Sequence, residues 1–310
     1  MNRYLPEGCY ITTAENSEWI GSVQGMERAM AQGAIVEAPA ILCDHDFALH
    51  VALGGGMRGV IAREEAQLTA TDEQIKDIAI LTRVGKPVCF KVLGFREEGG
   101  RRVAVLSRRA AQEECLLQYI DALCPGDILP AKITHLEGFG AFVDIGCGIV
   151  SLLSIDCISV SRISHPSERL RNGEMIFCVI KSKDPRGRIY VTQRELFGSW
   201  EENAAAFSPG QTALGIVRSV EPYGIFVELA PNLAGLAEYR PDVCEGQSAA
   251  VYIKSILPEK MKIKLIIIDA QDTPKYRAPT RYFIDPQAVT HIDRWLYSPP
   301  GAKRKIETVF

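Results

Sequence analysis

Gly138-Phe139-Gly140-Ala141-Phe142-Val143-Asp144-Ile145-Gly146, followed by the apolar run Ile149 to Leu153, has the form of two short β-strands with a tight bend between them. The glycines on either side of Phe139 allow the backbone to bulge, so two aromatics three apart can share a face that strict alternation would deny them. The expected product is a small aromatic platform on a strand. The same pattern recurs as Tyr223-Gly224-Ile225-Phe226-Val227-Glu228-Leu229 and, more worn, as Phe47-Ala48-Leu49-His50-Val51-Ala52-Leu53-Gly54.

Other landmarks keep the same register. Gly33, Gly126 and Gly210 open the three units about a dozen residues before each aromatic pair. A second glycine, at 85, 173 and 246, precedes a later strand of each unit, and final strands follow at 102–107, 188–192 and 262–268. Independent markers in step imply an internal repeat. Length alone suggests about two domains; the repeats override it with three small ones.

The central unit is the most regular. Ile128 to Thr134, Ala141 to Ile145, Val150 to Ile155, Met175 to Lys181 and Ile189 to Gln193 read as five strands. A short helical turn is expected at Ile163 to Leu170. Five strands with that insertion describe an OB-fold, a Greek-key barrel whose open face binds oligonucleotides. The expected class is mainly β: three tandem five-stranded OB-fold barrels joined by short helices. The boundaries are a lead-in with a helix at 1–30, a degenerate repeat at 31–110, a helical linker at 111–125, a repeat at 126–197, a linker at 198–208, a repeat at 209–270 and a tail at 271–310.

Local signals fill in the rest. Trp19, Ile20, Val23, Met26, Ala29 and Met30 have helical spacing that stops at Gly33. Gly54-Gly55-Gly56 lacks the following Gly-Lys-Ser/Thr of a phosphate loop and reads as a turn. Residues 70–80 have helical character, and Arg108-Arg109 open a helix to Leu123 whose Leu116, Leu117, Ile120 and Leu123 can pack on a barrel. In the tail, Tyr282-Phe283-Ile284 and Trp295-Leu296-Tyr297 have two readings, packing back on the third unit or taking a base.

The composition, 47% hydrophobic and 24% charged over 310 residues, suits a folded chain. A net charge of −3 argues against holding nucleic acid mainly by neutralising phosphates, so any RNA contact must lean on stacking. Nine scattered cysteines without a C-x-x-C pair read as reduced thiols and not a zinc site. Asp44, Asp46, Glu64 and Glu65 read as solvated loop acids, not as the clustered carboxylates of a two-metal nuclease. No catalytic residue, metal or cofactor is expected, and no apolar run approaches the ~18 residues of a membrane span. A cytoplasmic, non-enzymatic protein is the expectation.

Gly138 to Gly146, together with Asp184-Pro185-Arg186-Gly187-Arg188-Ile189, resembles the S1 RNA-binding domain, and three such units in tandem resemble a short form within the bacterial ribosomal protein S1 family. Trp200-Glu201-Glu202 and Ala234-Gly235-Leu236-Ala237-Glu238 are similar to inter-repeat segments of that family. The resemblance implies RNA lying across strands two and three, stacked on the aromatic pair beside a histidine, with an acid and an arginine from the later loop. Those positions fall on Phe139, Phe142, Asp184 and Arg188 in the second unit, with Ser154 at the histidine's place. In the third they fall on Tyr223, Phe226 and Lys262, with Glu238 and Pro258 replacing the histidine and the acid. In the first they fall on Phe47 and His50, with Ala62 for the histidine.

The implied partners are single-stranded RNA, mRNA in particular, and the small ribosomal subunit, with a monomer off the ribosome. Two functional readings follow. One is a translation-assisting RNA binder. The other is an accessory or regulatory scaffold of RNA decay or transcription machinery, with the first repeat docking protein. The aromatics also have two readings, exposed platform or barrel core; Val143 and Ile145 already supply an inward set, which favours at least one exposed ring.

Overall fold

The computed structural model describes residues 4–69, 75–185, 187–272 and 281–310. By contact the chain divides into two compact units, one of residues 1–123 with 130–132 and 144–150, the other of the remainder. Chain order begins with α1 (Ala14–Ile20), α2 (Val23–Gln32), β1 (Val36–Cys43), β2 (Leu49–Ala52), β3 (Arg58–Ile61), α3 (Asp77–Leu81), β4 (Pro87–Glu98), β5 (Arg101–Ser107) and α4 (Arg108–Gln118). There follow β6 (Ile128–Glu137), β7 (Gly140–Asp144), β8 (Val150–Ser154), β9 (Met175–Lys183) and β10 (Ile189–Thr192). The chain ends with α5 (Trp200–Ala204), β11 (Thr212–Glu221), β12 (Gly224–Ala230), β13 (Leu233–Ala237), β14 (Ser248–Leu257), β15 (Lys262–Gln271), β16 (Arg294–Leu296) and β17 (Glu307–Val309).

In the first unit β1 to β5 close into a barrel. β1 pairs antiparallel with β2 and β4, β2 with β3, and β4 with β5, while β3 and β5 run parallel. Alternation puts Val36, Ala38, Leu49, Val51, Phe90 and Leu106 inside, and Met26 and Ala29 of α2 join the same core. The expected single N-terminal helix is two. Ser22 caps the second by accepting from the Gly25 N–H, so the chain turns at Gly21-Ser22. That corner explains the triple glycine, which is a turn: a Cβ on Gly54 would come within 2.6 Å of the Gly21 Cα.

Helix α4 corrects a second expectation. Its buried face is Ala111, Gln112 and Cys115, whereas Leu117 is 61% exposed; Ile120 is buried as expected, but in a 3-10 turn beyond the helix, which ends at Gln118. The helix is turned by Arg108, whose guanidinium is buried against the Glu7 carboxylate with bonds of 2.6 and 2.9 Å. Glu7 also accepts from the Cys89 N–H, and its own N–H donates to Asp144. Burial by itself would raise Glu7, but Arg108, together with Arg83 and the Cys89 N–H, outweighs it and holds the carboxyl below its ordinary range.

In the second unit β11 to β15 close a barrel of the same connectivity, with β13 and β15 as the parallel pair. Val217, Ile225, Val227, Leu233, Val251 and Ile253 fill it. The central strands take the same cyclic order, β10-β8-β7-β6-β9, with β10 parallel to β8 and antiparallel to β9. The turn expected at 163–170 is a single 3-10 turn at Pro166–Glu168.

The tail packs. Tyr282 stacks on Phe197 at 5.7 Å, its hydroxyl accepts from the Phe177 N–H and the Gln193 amide, and Trp295 and Tyr297 are buried. The Tyr297 hydroxyl donates to the Asn232 carbonyl. All nine cysteines are free thiols, Cys89 and Cys178 buried in strands among them. No helix among the described residues is long and apolar enough to cross a membrane.

Candidate nucleic-acid interface

On β7 the period-two alternation turns Ala141 and Val143 into the interior and leaves Phe142 half-buried on the outer face. Phe139, in the turn before β7, is 56% exposed. The two rings meet edge to face, 6.0 Å between centroids at 88°. Gly140 is what lets them approach the next strand: a Cβ there would lie 2.5 Å from the Leu153 carbonyl oxygen. The glycine therefore serves close strand contact, and its backbone is not left-handed.

A third ring completes this face. His135 on β6 stacks on Phe142 at 6.5 Å and 18°, its Nε2 2.8 Å from Glu137. It escapes the sequence reading because the expected strand stops at Thr134, while β6 continues to Glu137. Ser154, half-buried at the end of β8, donates to Asp156, and that bond chiefly holds the Asp156 carboxyl below its ordinary range. Asp184 and Arg188 close their turn together: the Arg188 N–H donates to the Asp184 carboxylate and the Asp184 N–H to the Arg188 carbonyl. The Arg188 side chain is exposed; Arg186, quoted with the motif, lies outside the described residues.

The β12 face repeats the arrangement. Ile225 and Val227 point inward, Tyr223 is 70% exposed, Phe226 is half-buried, and the rings meet at 6.2 Å and 83°. Gly224 again approaches the neighbouring strand, where a Cβ would lie 2.5 Å from the Ala237 carbonyl oxygen. Lys262 is exposed at the start of β15, and Glu238 is exposed beyond β13.

The β2 face is built differently. Phe47 sits at φ +60 in the turn before β2 with the Arg63 guanidinium 4.6 Å over its ring. His50 is 9% exposed, held at 2.8 Å by Asp44 and at 3.1 Å by Arg58.

Comparison with known proteins bears on these faces directly. Residues 124–192 match the S1 RNA binding domain. The chain resembles bacterial ribosomal protein S1. It is 29% identical over 187 residues to the small ribosomal subunit protein bS1 homolog of Bacillus subtilis, covering 56% of this chain and 48% of that protein. It is 28% identical over 240 residues to small ribosomal subunit protein bS1 of Staphylococcus aureus, covering 74% of this chain and 57% of that protein. The chain spans about half the length of these S1 proteins. A Streptococcus pneumoniae multidomain protein with nucleic acid binding domains overlays 76% of this chain and 74% of its own at 16% identity, with a TM-score of only 0.25. The matched S1 segment contains Phe139, Phe142, Ser154, Asp184, Arg188 and also His135.

Proposed function

We propose that the chain is a non-enzymatic, single-stranded RNA-binding protein built of three tandem S1-type OB barrels. It stacks the bases of mRNA or ribosomal RNA on barrel aromatics and assists translation in the cytoplasm, as a monomer when off the ribosome. The observation that supports this reading is the pair of matching platforms, Phe139 with Phe142 and Tyr223 with Phe226, each with an exposed ring in the turn just before an equivalent strand. A stacked base contributes about 1–3 kcal/mol, needs no closed pocket and tolerates any sequence. Linked sites raise overall affinity through effective concentration, and a net charge of −3 agrees with stacking over phosphate neutralisation. Asp184, Arg188, Ser154 and Lys262 flank the platforms as polar and ionic contacts.

The test is titration of an unstructured RNA with Phe139→Ala, Tyr223→Ala and the combined variant, both positions being exposed enough to spare the fold. Each change should weaken binding by about 1–3 kcal/mol with a shallow dependence on salt. Affinity unchanged in the combined variant overturns the reading.

A second reading is supported by the first repeat, where Arg63 covers Phe47 and Asp44 and Arg58 enclose His50. In it that repeat docks protein, and the chain is a scaffold of RNA decay or transcription machinery. Capture of ribosomes by the chain after RNase treatment separates protein docking from docking through RNA.

A further inference from the structure

The Tyr223 and Phe226 face does not stand alone. It forms one wall of a groove of about 610 Å3 whose opposite wall is residues 160–164, which leave the preceding repeat after β8. That volume is in the range of roughly 300–1,000 Å3 typical of small-ligand sites. The opposite wall is held by several bonds. The Val160 N–H donates to the Asn232 side chain at 3.0 Å, the Ser161 N–H to the Pro231 carbonyl at 3.0 Å, and the Ser164 hydroxyl to Glu245 at 2.6 Å. Behind it Arg169 forks Glu228, and Arg218 bonds both Glu228 and Glu168. The fixed end of this wall is Asn232, fully buried, whose amide donates to the carbonyls of Arg194 and Gly198.

Charge in the groove is sorted. Arg218 is committed to its two acids, whereas Arg162 is exposed and has no ion-pair or hydrogen-bond partner among the described residues. Glu221 and Glu245 line the same groove, Glu221 half-buried and Glu245 exposed and bonded by Ser164. The two carboxylates repel a phosphate from their own part of the groove, while the Tyr223 ring, Phe226, Ile163 and Ala234 offer flat and apolar surface.

We propose that this groove is a nucleotide subsite shared by two repeats: one RNA base stacks on Tyr223, and the adjoining phosphate bonds the Arg162 guanidinium on the opposite wall. The subsite rests on the RNA-binding reading above and deepens it, because the second repeat supplies the phosphate contact for the stacking face of the third.

The experiment titrates the full chain with an oligouridylate of about a dozen nucleotides over a series of salt concentrations. Arg162→Ala should weaken binding about five- to tenfold and reduce the log-log salt slope by about 0.7, the value for one phosphate on a single strand. Arg162→Lys should keep the slope. Arg162→Ala with Tyr223→Ala should lose less than the sum of the single changes, since both act on one nucleotide. If Tyr223→Ala weakens binding while Arg162→Ala leaves affinity and slope as in the parent, the shared subsite is wrong and the stacking reading stands. If the two losses are strictly additive, the residues serve different nucleotides and the subsite is likewise wrong. If neither change alters binding, the RNA-binding reading itself falls for this face.

Discussion

Arg169 grips Glu228 with two parallel hydrogen bonds of 2.9 and 2.6 Å, joining the connection after β8 to strand β12. Both side chains are nearly sealed, 10% and 6% exposed, and Arg218 shares the same carboxylate. Buried ion pairs contribute little net stability over apolar replacements, yet removing one partner strands the other charge in a low dielectric. Because Arg218 stays bonded to Glu228, that penalty is only partly incurred here, and Arg169→Ala should destabilise the second unit by about 1–3 kcal/mol, read by denaturant unfolding. A midpoint like that of the parent would show that the pair is not what joins these segments.

Gly140 and Gly138 flank the same phenylalanine but face different surroundings. A Cβ at 140 would meet the Leu153 carbonyl at 2.5 Å, and one at 138 would meet nothing within 4 Å. Gly140→Ala should push β7 from β8 at a cost of about 1–3 kcal/mol and weaken RNA binding through the displaced platform. Gly138→Ala should leave the stability of the fold close to the parent's. Equal melting curves for the two variants would contradict this assignment.

His135 should matter to RNA although the family resemblance does not point to it. Its ring stacks on Phe142 at 6.5 Å and is itself exposed on the outer face. His135→Ala should lower RNA affinity by about 0.5–1.5 kcal/mol, the contribution of one aromatic contact, with the melting temperature little changed. Equal affinity would leave His135 as a bystander of the platform.

The first unit should lose stability as pH rises from 4.5 to 7. Glu37 is buried, and burial pushes its carboxyl up to about 7 even though the N–H groups of Gly8 and Tyr10 donate to it. A carboxyl raised above its unfolded value of 4.5 binds its proton more tightly when folded. Its contribution is complete below 4.5 and is lost as pH rises through 7. Asp144, raised to about 7 by burial and then by neighbouring Glu7, acts with the same sign. Glu37→Gln should flatten part of this slope in unfolding curves taken across the window. A slope identical to the parent's would show that Glu37 does not titrate there.

Tyr282 should anchor the tail. It fills a site against Phe177 and Phe197 and accepts two hydrogen bonds. Tyr282→Ala should cost about 3–5 kcal/mol by emptying that site and leaving the Gln193 amide without this acceptor. Limited proteolysis should then cut the chain after residue 281 faster than in the parent; unchanged protection would place the anchor elsewhere.

Much of the architecture was legible because it is local. Strand alternation selects Val143, Ile225 and Val227 for the interior, and glycine before the second strand marks each later platform. Helix faces were not. The sequence reading turns Leu117 toward a barrel, whereas the buried Arg108–Glu7 pair rotates Cys115 and Ala111 inward instead, and Glu7 lies 101 residues away. The break between α1 and α2 was equally hidden, since Ser22 as a cap competes with a continuous apolar stripe.

From residue order alone come the recurring strand pattern and the two aromatic pairs, since both follow from short-range periodicity and from glycines that let strands approach. Folding in three dimensions decided the rest: that Arg63 covers Phe47, that His135 stacks on Phe142, and that residues 160–164 wall the groove beside Tyr223. Contacts of that kind join positions such as Val160 and Asn232, 72 residues apart, and no local pattern encodes which distant side chain will lie over a given ring.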